Sequence, residues 1–437
     1  MYRTVYGAKS ITRRPVPLTP EVLILGGGLV GIAIARELAR GGMQVVIAER
    51  GESLGGNARE LRFFYDLHRD PRTWLDEMVA EVEKAENVTV YRGAHLKRLD
   101  GQLGRFRAVI ATGEGKETVC SPSAVVVATG CVARPSDAGS GAERVIGLAR
   151  MEEHLRAGSS DGTFNWQGKP VETVTYLLDR SDDDLKIQTV TAIKQALILQ
   201  ERGCQVAVVA RDLKVSATGM ERLYRRAREK GVLFFKYDKP PVLTASDNTL
   251  TVEVEDTTQL SMTERGTVTL PSDLIVAGET LAADPETGEL CRMLGLRPGS
   301  DGRLMDDNPQ LQRVLTNRRG VFLAGACRFP QIVPESLSEA RAVVQEVEAL
   351  LRGGAYTPEN PVAEVDPRKC AVCLSCVRLC PHAAIGVERS GEGNVYAPPD
   401  GESGDTLWGA ARIEPAACFG CGICVAECPA KAITLYE

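Results

Sequence analysis

The sequence predicts an α/β protein with two Rossmann-type units and a small α+β domain near its C-terminal end. Residues 21–48 have the pattern of a strand, a helix and a strand, and residues 176–211 repeat that pattern. Eight of the 13 cysteines fall within the last 70 residues. A chain of 437 residues is long enough for two or three domains with separate cores.

The first unit is defined by its apolar runs. Glu21–Leu25 is predicted as a buried strand, Val30–Arg40 as a helix and Val45–Ala48 as a second strand. Gly41 and Gly42 are predicted to end the helix, because glycine is common at the positions just after a helix C-terminus. Residues 71–86 are predicted as a further helix, and the run Ser123–Thr129 as a buried strand.

The segment after this unit is expected to leave the first domain and later return to it. Residues 136–168 are rich in Gly, Ser and Asp and are predicted to cross between domains. From Asp273 the pattern returns to the first domain with "DLIVAG", "GVFLAGAC" and a helix from about Glu335 to Leu351. The expected segments are 1–150 and 268–355 for the first domain, 151–267 for the inserted domain and 356–437 for the cysteine-rich domain.

Composition excludes some classes of protein. A net charge of −6 and a pI near 5.6 argue against nucleic acid as the main partner. No apolar run approaches 18 residues, so no transmembrane segment is expected. The first twenty residues contain no apolar core of signal-peptide length, which favours the cytoplasm.

The first strand–helix turn carries a dinucleotide-binding pattern, which is called the fingerprint below. In "VLILGGGLVGIAIARELARGGMQVVIAER", Gly26, Gly28 and Gly31 lie between the strand and the helix, and Glu49 ends the second strand. Gly26 allows the tight turn, Gly28 lets the backbone approach a pyrophosphate, and Gly31 allows close helix–strand packing. The N-terminus of the helix offers free N–H groups to the phosphates, and Glu49 can accept hydrogen bonds from the ribose hydroxyls.

The C-terminal cysteines follow the pattern of a bacterial two-cluster ferredoxin. Each of two runs has the form C-x2-C-x2-C-x3-C-P, in which the fourth cysteine ligates the other cluster. One [4Fe–4S] cluster is thus expected on Cys370, Cys373, Cys376 and Cys428, and the second on Cys418, Cys421, Cys424 and Cys380. Zinc is the alternative, but structural zinc sites use two ligand pairs separated by a longer loop.

The other five cysteines are predicted to be packed thiols. None of them belongs to a C-x-x-C pair, so a redox-active disulfide is not expected. These residues are Cys120, Cys131, Cys204, Cys291 and Cys327.

The first domain resembles the glutathione-reductase-like flavoproteins, and more generally the glutathione and thioredoxin reductases. The motifs that carry the resemblance are Gly55-Gly56 after the acid, "VVVATG" and "GVFLAGAC" followed by a helix. The resemblance implies FAD. Besides the fingerprint, it implies that the cofactor contacts Arg50, Gly55, Gly56, Asn57, Ala94, Ala128, Thr129, Gly130, Gly325, Ala326, Pro334 and Ser336. The family usually has Asp where this chain has Ala326, so the ribitol contact must be made differently.

The whole chain resembles the A subunit of heterodisulfide reductase (HdrA). "ERGESLGGNA", "NPQLQRVLTNRRGVFLAGACRFPQIVPESLSEA" and the two-cluster ferredoxin carry this resemblance. It implies a cytoplasmic FAD/iron–sulfur oxidoreductase subunit that needs partner subunits for activity. The implied partners are HdrB/HdrC-like subunits, a hydrogenase-, formate dehydrogenase- or NADH-dependent donor module, and ferredoxin, with the chain as a homodimer in the complex.

The chain departs from the full-length archaeal protein of this family. The archaeal type has an extra ferredoxin insert in the first flavin domain, whereas residues 57–125 contain only Cys120. In this respect the chain resembles the shorter bacterial relatives of the family. Because the extra clusters are missing, electron bifurcation is a hypothesis and not an expectation.

One alternative is an NAD(P)H-dependent oxidoreductase like the glutamate synthase small subunit, which has a second glycine-rich turn. Here that turn is 179–184, with four acids and no glycine. A structural adaptor without redox activity is the other alternative.

Overall fold

A computed structural model describes residues 15–61, 70–113, 115–135, 143–157, 162–178, 184–245, 250–255, 257, 266–358, 361–388 and 409–435. Within these ranges the chain forms two α/β domains and a small cysteine-rich domain. No helix in the described ranges has the length and hydropathy needed to cross a membrane.

The first domain is built on a parallel sheet of five strands. Central strands of such a sheet are covered on both faces, and this explains their continuous Val, Ile and Leu runs. In sheet order the strands are Val321–Leu323, Ala124–Val127, Glu21–Leu25, Gln44–Ala48 and Val88–Tyr91. The helices Leu29–Arg40, Pro71–Lys84 and Val333–Leu351 pack into one core with this sheet.

An antiparallel sheet covers the other face of the five strands. Its strands are Ala94–Asp100, Arg107–Thr112 and Glu117–Cys120. Leu96 from this sheet, and Phe106 just before its second strand, pack with Leu23 and Val125 of the parallel sheet and with the short helix Thr287–Leu294.

The second domain also has a parallel sheet of five strands. Their order is Val145–Gly147, Leu274–Ala277, Thr173–Leu177, Gln205–Ala210 and Leu233–Lys236. The helices Leu148–Ala157, Leu185–Glu201 and Met220–Glu229 pack with it. A second, antiparallel sheet contains Val242–Ala245, Leu250–Glu255 and Thr267–Ser272.

The strand in "DLIVAG" is placed differently from the prediction. The sequence assigns it to the first domain, but Leu274–Ala277 hydrogen-bonds to Thr173–Leu177 and Val145–Gly147 in the second sheet. A fully buried apolar strand reads the same in either sheet, so its pattern does not identify its neighbours. The strand Val145–Gly147 likewise belongs to the second sheet, although it lies in the segment predicted to cross between domains.

The two domains are joined by a pair of short antiparallel strands. Val132–Pro135 leaves the first domain and Glu279–Ala282 returns to it. Two further short pairs are Val16–Pro17 with Ala355–Tyr356 and Asn165–Trp166 with Lys169–Pro170.

The cysteine-rich domain consists of two strand pairs and two short helices. The strand pairs are Ala363–Val365 with Ile433–Leu435 and Ile385–Glu388 with Ala410–Ile413, and the helices are Ser375–Leu379 and Ile423–Ala426. Among its described residues, seven buried ones form its core, and two of these are Cys376 and Cys424. So small an apolar core suggests that bound metal contributes to the stability of the domain.

Candidate functional site

Two glycines of the fingerprint are required by close packing at the carboxyl end of the first sheet. Gly26 has a φ of +102°, and a Cβ there would lie 2.4 Å from the carbonyl oxygen of Ala128. A Cβ on Gly31 would lie 2.0 Å from the carbonyl oxygen of Gly26. Both positions exclude any larger residue, because backbone atoms cannot move away as a flexible side chain can.

Gly28 differs because it faces open space. No atom lies within 4 Å of a Cβ built on it. The helix Leu29–Arg40 begins at the next residue, so its free N–H groups are directed to this space. Gly28 forms an isolated bridge with Gly55, which brings the loop of Gly55 and Gly56 to the same place. A helix N-terminus beside open space and two glycine-rich loops fits a dinucleotide pyrophosphate.

Glu49 lies at the edge of this opening. Its carboxylate accepts hydrogen bonds from the N–H of Gly27 at 2.5 Å and the N–H of Gly51 at 2.7 Å. The backbone of Ala94 donates to the carbonyl of Glu49 at 2.8 Å, which fixes the end of that strand. Glu49 is therefore held at the place where the fingerprint predicts a ribose.

Arg50 points away from the fingerprint. Its guanidinium contacts Asp284 at 2.7 Å and Glu286 at 3.1 Å, both from the segment that returns from the second domain. The hydrogen bonds from Arg50 lower the pKa of Asp284. In the structure the side chain of Arg50 joins two parts of the chain, and its predicted contact with FAD stays a prediction.

The next predicted contacts with FAD lie around the end of the strand Ala124–Val127. Ala128, Thr129 and Gly130 follow the strand Ala124–Val127 at its carboxyl end. Asn57 comes from the opposite loop, and its side-chain amide donates to the carbonyl of Cys131 at 3.1 Å.

The segment "GVFLAGAC", the late motif, packs against the start of the first helix beside the opening that Gly28 faces, which is called the crevice from here on. Gly325 has a φ of +80°, and a Cβ there would approach Val30 of the first helix at 3.0 Å. Ala326 follows in the short helical turn Gly325–Cys327. Pro334 occupies the first turn of helix Val333–Leu351, where its missing N–H costs nothing, and Ser336 is buried in the same turn.

A charged network behind this motif was not found from the sequence. The Glu339 carboxylate accepts from the N–H of Gly325 at 2.5 Å and also pairs with Arg328. Arg328 pairs with Asp306 as well, and all three side chains are at most 10% exposed. The nearby negative charges raise the pKa of Arg328 above its ordinary value, against the effect of burial. The sequence signal for this network was an arginine in "GACRF", Arg328, followed eleven residues later by the acid Glu339.

The last of the four acids in the turn 179–184 of the inserted domain, Asp184, has a structural role. Residues 179–183 lie outside the described residues. Asp184 is 1% exposed at the start of helix Leu185–Glu201, and its carboxylate accepts from the N–H of Leu281 at 2.9 Å and lies 3.8 Å from Arg303. The start of this helix therefore holds a buried carboxylate bound to groups of the protein, at the place where a nicotinamide-nucleotide site has a glycine-rich turn.

The eight C-terminal cysteines border two separate cavities. The first is lined by Cys370, Cys373, Cys376 and Cys428. The second is lined by Cys380, Cys418, Cys421 and Cys424. In each cavity the fourth cysteine comes from the other run, as the spacing predicts. In the described ranges no three His, Cys, Asp or Glu side chains converge as the ligands of a single ion do.

Backbone N–H groups point at three of these sulfurs. Ala411 donates to Cys370 Sγ at 3.4 Å, Ala384 to Cys380 Sγ at 3.4 Å and Ala432 to Cys428 Sγ at 3.3 Å. Such bonds stabilise the negative charge of thiolates. Thiolate donors in this arrangement fit iron–sulfur clusters, whose potentials depend on hydrogen bonds to sulfur.

The cysteine-rich domain lies against the amino end of the first sheet. Arg319, two residues before the strand Val321–Leu323, donates to the carbonyl of Ala416 at 2.8 Å and that of Cys418 at 3.4 Å. The side chain of Asn317 donates to the carbonyl of Pro381 at 2.8 Å. The crevice beside Gly28 is at the carboxyl end of the same sheet, so the parallel sheet separates it from the cysteine-lined cavities.

Comparisons with known proteins agree with this architecture. Residues 24–76 match the NAD(P)-binding Rossmann-like domain family, and residues 369–433 match the 4Fe-4S dicluster domain family. The thioredoxin reductase of Lactococcus lactis (FR conformation) aligns with a TM-score of 0.52 and 18% identity over 75% of this chain and 98% of its own. The predicted fold class is confirmed.

Similarity to characterised sequences extends along most of the chain. The A subunit of the H(2):CoB-CoM heterodisulfide,ferredoxin reductase of Methanothermobacter thermautotrophicus is 24% identical over 474 residues, covering 87% of this chain and 71% of that protein. The iron-sulfur A subunit of the CoB--CoM heterodisulfide reductase of Methanocaldococcus jannaschii is 23% identical over 484 residues, covering 88% and 72%.

Proposed function

We propose that this chain, an HdrA-like oxidoreductase, carries electrons between a bound FAD and two [4Fe–4S] clusters and exchanges them with partner subunits. The observation that carries the proposal is that one chain joins a dinucleotide crevice to two cavities with four cysteines each. A flavin exchanges two electrons and each cluster exchanges one, so together they convert between two-electron and one-electron chemistry.

The FAD is proposed to bind at the carboxyl end of the first sheet. Its pyrophosphate would lie over Gly28 at the start of helix Leu29–Arg40, and its adenosine ribose would face Glu49. Its ring would face the first turn of helix Val333–Leu351, which contains Pro334 and Ser336. The positive end of the helix dipole favours a negatively charged reduced ring there.

The partners are proposed from the relatives. These relatives include the A subunits of an H(2):CoB-CoM heterodisulfide,ferredoxin reductase and of an H(2)/formate:CoB-CoM heterodisulfide,ferredoxin reductase. We propose HdrB/HdrC-like subunits, a donor module and ferredoxin as the corresponding partners here, in an assembly with two copies of this chain. Electron bifurcation at the flavin is the further hypothesis.

The cofactor content is the first test. Chain purified without oxygen is expected to hold one FAD and about eight irons, the content of two [4Fe–4S] clusters. Loss of the iron–sulfur absorbance and of iron in a variant with Cys373→Ser and Cys421→Ser would agree with the assignment. A wild-type chain that binds neither flavin nor iron would refute the function.

The second test separates this function from direct oxidation of NAD(P)H. NADH or NADPH added without oxygen to the isolated chain is expected to leave the flavin absorbance oxidised, because the turn 179–184 that would hold the nucleotide has four acids and no glycine. Rapid stoichiometric bleaching would support the alternative resembling the glutamate synthase small subunit. Simultaneous reduction of ferredoxin and of a high-potential acceptor by the reconstituted complex tests bifurcation.

A further inference from the structure

The two cysteine-lined cavities differ in their surroundings. Each has one exposed cysteine, Cys373 in the first and Cys421 in the second. The lining of the second also includes His382 and Phe419. Both of these side chains contact the first domain, which is called the flavin-type domain below. The second cavity is therefore the inner position for a cluster, beside that domain, and the first is the outer position.

Arg319 occupies the contact at the inner cavity. Its guanidinium lies 4.1 Å from the ring centre of Phe419 and 4.8 Å from that of Tyr356, so it is held between two aromatic faces. Phe419 follows the cluster ligand Cys418, and Arg319 also donates to the carbonyl of that ligand at 3.4 Å. An arginine that stacks and donates in this way is fixed in position, unlike one on a solvated surface.

Asn317 holds the other side of the same cavity. Its side chain donates to the carbonyl of Pro381 at 2.8 Å, and its own carbonyl oxygen lies 2.8 Å from Nδ1 of His382. His382 stacks on Phe419, with ring centres 4.1 Å apart and planes at 16°. Both segments that follow ligands of the inner cavity, at Cys380 and at Cys418, are thus bound by Asn317 and Arg319.

The charge of Arg319 has a defined consequence for a cluster in this cavity. Reduction adds one negative charge to a cluster, and a fixed cation nearby stabilises the reduced form. The outer cavity has the exposed Arg368 two residues before Cys370, but the effect of an exposed charge is screened by water and salt.

We propose that Arg319 and Asn317 are positioning residues that fix the cluster of Cys380, Cys418, Cys421 and Cys424 as the inner one, and that Arg319 raises its reduction potential above that given by the ligands alone. This inference rests on the proposed function, because it requires a chain loaded with both clusters. It adds an order to that function: the outer cluster faces partners and the inner cluster faces the flavin-type domain.

The test is a redox titration of the full chain followed by electron paramagnetic resonance. Variants Cys373→Ser and Cys421→Ser first identify which signal belongs to which cluster. Arg319→Gln is expected to lower the reduced-to-oxidised ratio of the Cys421-dependent signal about tenfold at fixed potential, which is about 59 mV for one electron. The Cys373-dependent signal is expected to stay unchanged.

Two further variants control for charge and for position. Arg319→Lys keeps the charge and is expected to return the Cys421-dependent ratio to within about threefold of the wild type. Arg368→Gln, the matched loss of an exposed arginine at the outer cluster, is expected to change neither ratio by more than about threefold. Unchanged ratios in Arg319→Gln, or equal changes of both signals, would overturn the proposal while the cofactor content still supported the proposed function.

Hydrogen–deuterium exchange keeps the test open if Arg319→Gln loses its cluster. Segments 380–384 and 416–420 are expected to exchange faster in this variant, because their contacts with the flavin-type domain are broken. Segment 370–376 is expected to keep its wild-type rate. Equal acceleration of all three segments, or of none, counts against a specific role for Arg319.

Discussion

Gly28 and Gly31 belong to one turn but serve different purposes. A Cβ on Gly31 would lie 2.0 Å from a backbone oxygen, whereas a Cβ on Gly28 would meet no atom within 4 Å. Gly31 is therefore required by the fold, and Gly28 is required only by what approaches the turn.

These two glycines make a matched pair of variants. Gly31→Ala is expected to destabilise the first domain by about 1–3 kcal/mol, the usual cost of overpacking. Gly28→Ala is expected to leave the melting temperature of the cofactor-free chain within about 2 °C of the wild type, because its Cβ enters open space. It is expected to bind FAD at least about tenfold more weakly, because the methyl group stands where the pyrophosphate must approach. Thermal unfolding and flavin titration measure the two effects, and equal stability losses in both variants would contradict the distinction.

At the residue scale, sequence reasoning succeeded where spacing determines geometry. The crossed cysteine sets follow from the repeated C-x2-C-x2-C-x3-C spacing, and the structure places the same sets around two cavities. It did not find Arg319, which donates to carbonyls 97 and 99 residues away, or Glu339, whose partners include residues 11 and 14 positions away. Single charged residues with distant partners leave no periodic pattern in a sequence.

Among the elements, helix Leu185–Glu201 is unusual because it buries polar side chains. Gln188, Thr189, Lys194 and Gln195 are all at most 5% exposed. Lys194 lies 3.5 Å from Glu152 of the neighbouring helix, and Gln195 donates to the same carboxylate at 2.8 Å. The helix is therefore joined to its neighbour by a buried polar contact as well as by apolar packing.

Breaking this buried pair from one side is expected to be costly. Lys194→Met leaves the Glu152 carboxylate buried without its cation, and we expect a loss of about 3–5 kcal/mol in the free energy of unfolding. The double variant Lys194→Met with Glu152→Leu is expected to recover most of that loss, since both charges are then removed. Lys239→Met, which breaks an exposed pair with Glu255 at 3.1 Å, is expected to cost less than about 1 kcal/mol.

Urea unfolding of the four proteins measures these differences. A double variant no more stable than Lys194→Met would show that the pair is not the source of the loss.

At the element scale the type of each element was easier to predict than its neighbours. The strand Glu21–Leu25 has the predicted bounds, and the predicted helix Val30–Arg40 begins one residue earlier, at Leu29. The strand Leu274–Ala277 was recognised as a strand but assigned to the wrong sheet. Pairing between strands far apart in the chain depends on the tertiary fold, which the apolar run alone does not specify.

For the whole molecule, the cysteine-rich domain is expected to depend on its metal. Within the described segments 361–388 and 409–435, seven buried residues form its core and eight cysteines border two cavities. Removal of iron by a chelator with an oxidant is expected to accelerate hydrogen exchange throughout segments 361–388 and 409–435, because thiolate groups no longer cross-link the domain. The first domain is expected to keep its exchange rates, since its core is formed by its own sheet and helices.

Alkylation of the thiols provides the control for that experiment. Burial raises the pKa of Cys204 to about 11 and that of Cys327 to about 12. The thiolate is the form that reacts, and it predominates only above the pKa. At pH 8 the thiolate fraction of either cysteine is therefore about one thousandth or less. Mass spectrometry is expected to find iodoacetamide on the eight C-terminal cysteines only after iron removal and on Cys204 and Cys327 in neither state. Labelling of these two at pH 8 would mean that the α/β domains also open.

The position of the cysteine-rich domain has a consequence for the speed of internal electron transfer. The strands Ala124–Val127 and Val321–Leu323, whose side chains are hydrocarbon, lie between the inner cavity and the place proposed for the flavin. Four residues of strand span about 13 Å. With the proposed cofactors bound, the sheet would be an apolar layer between them, and its thickness would set the distance that an electron crosses within one chain.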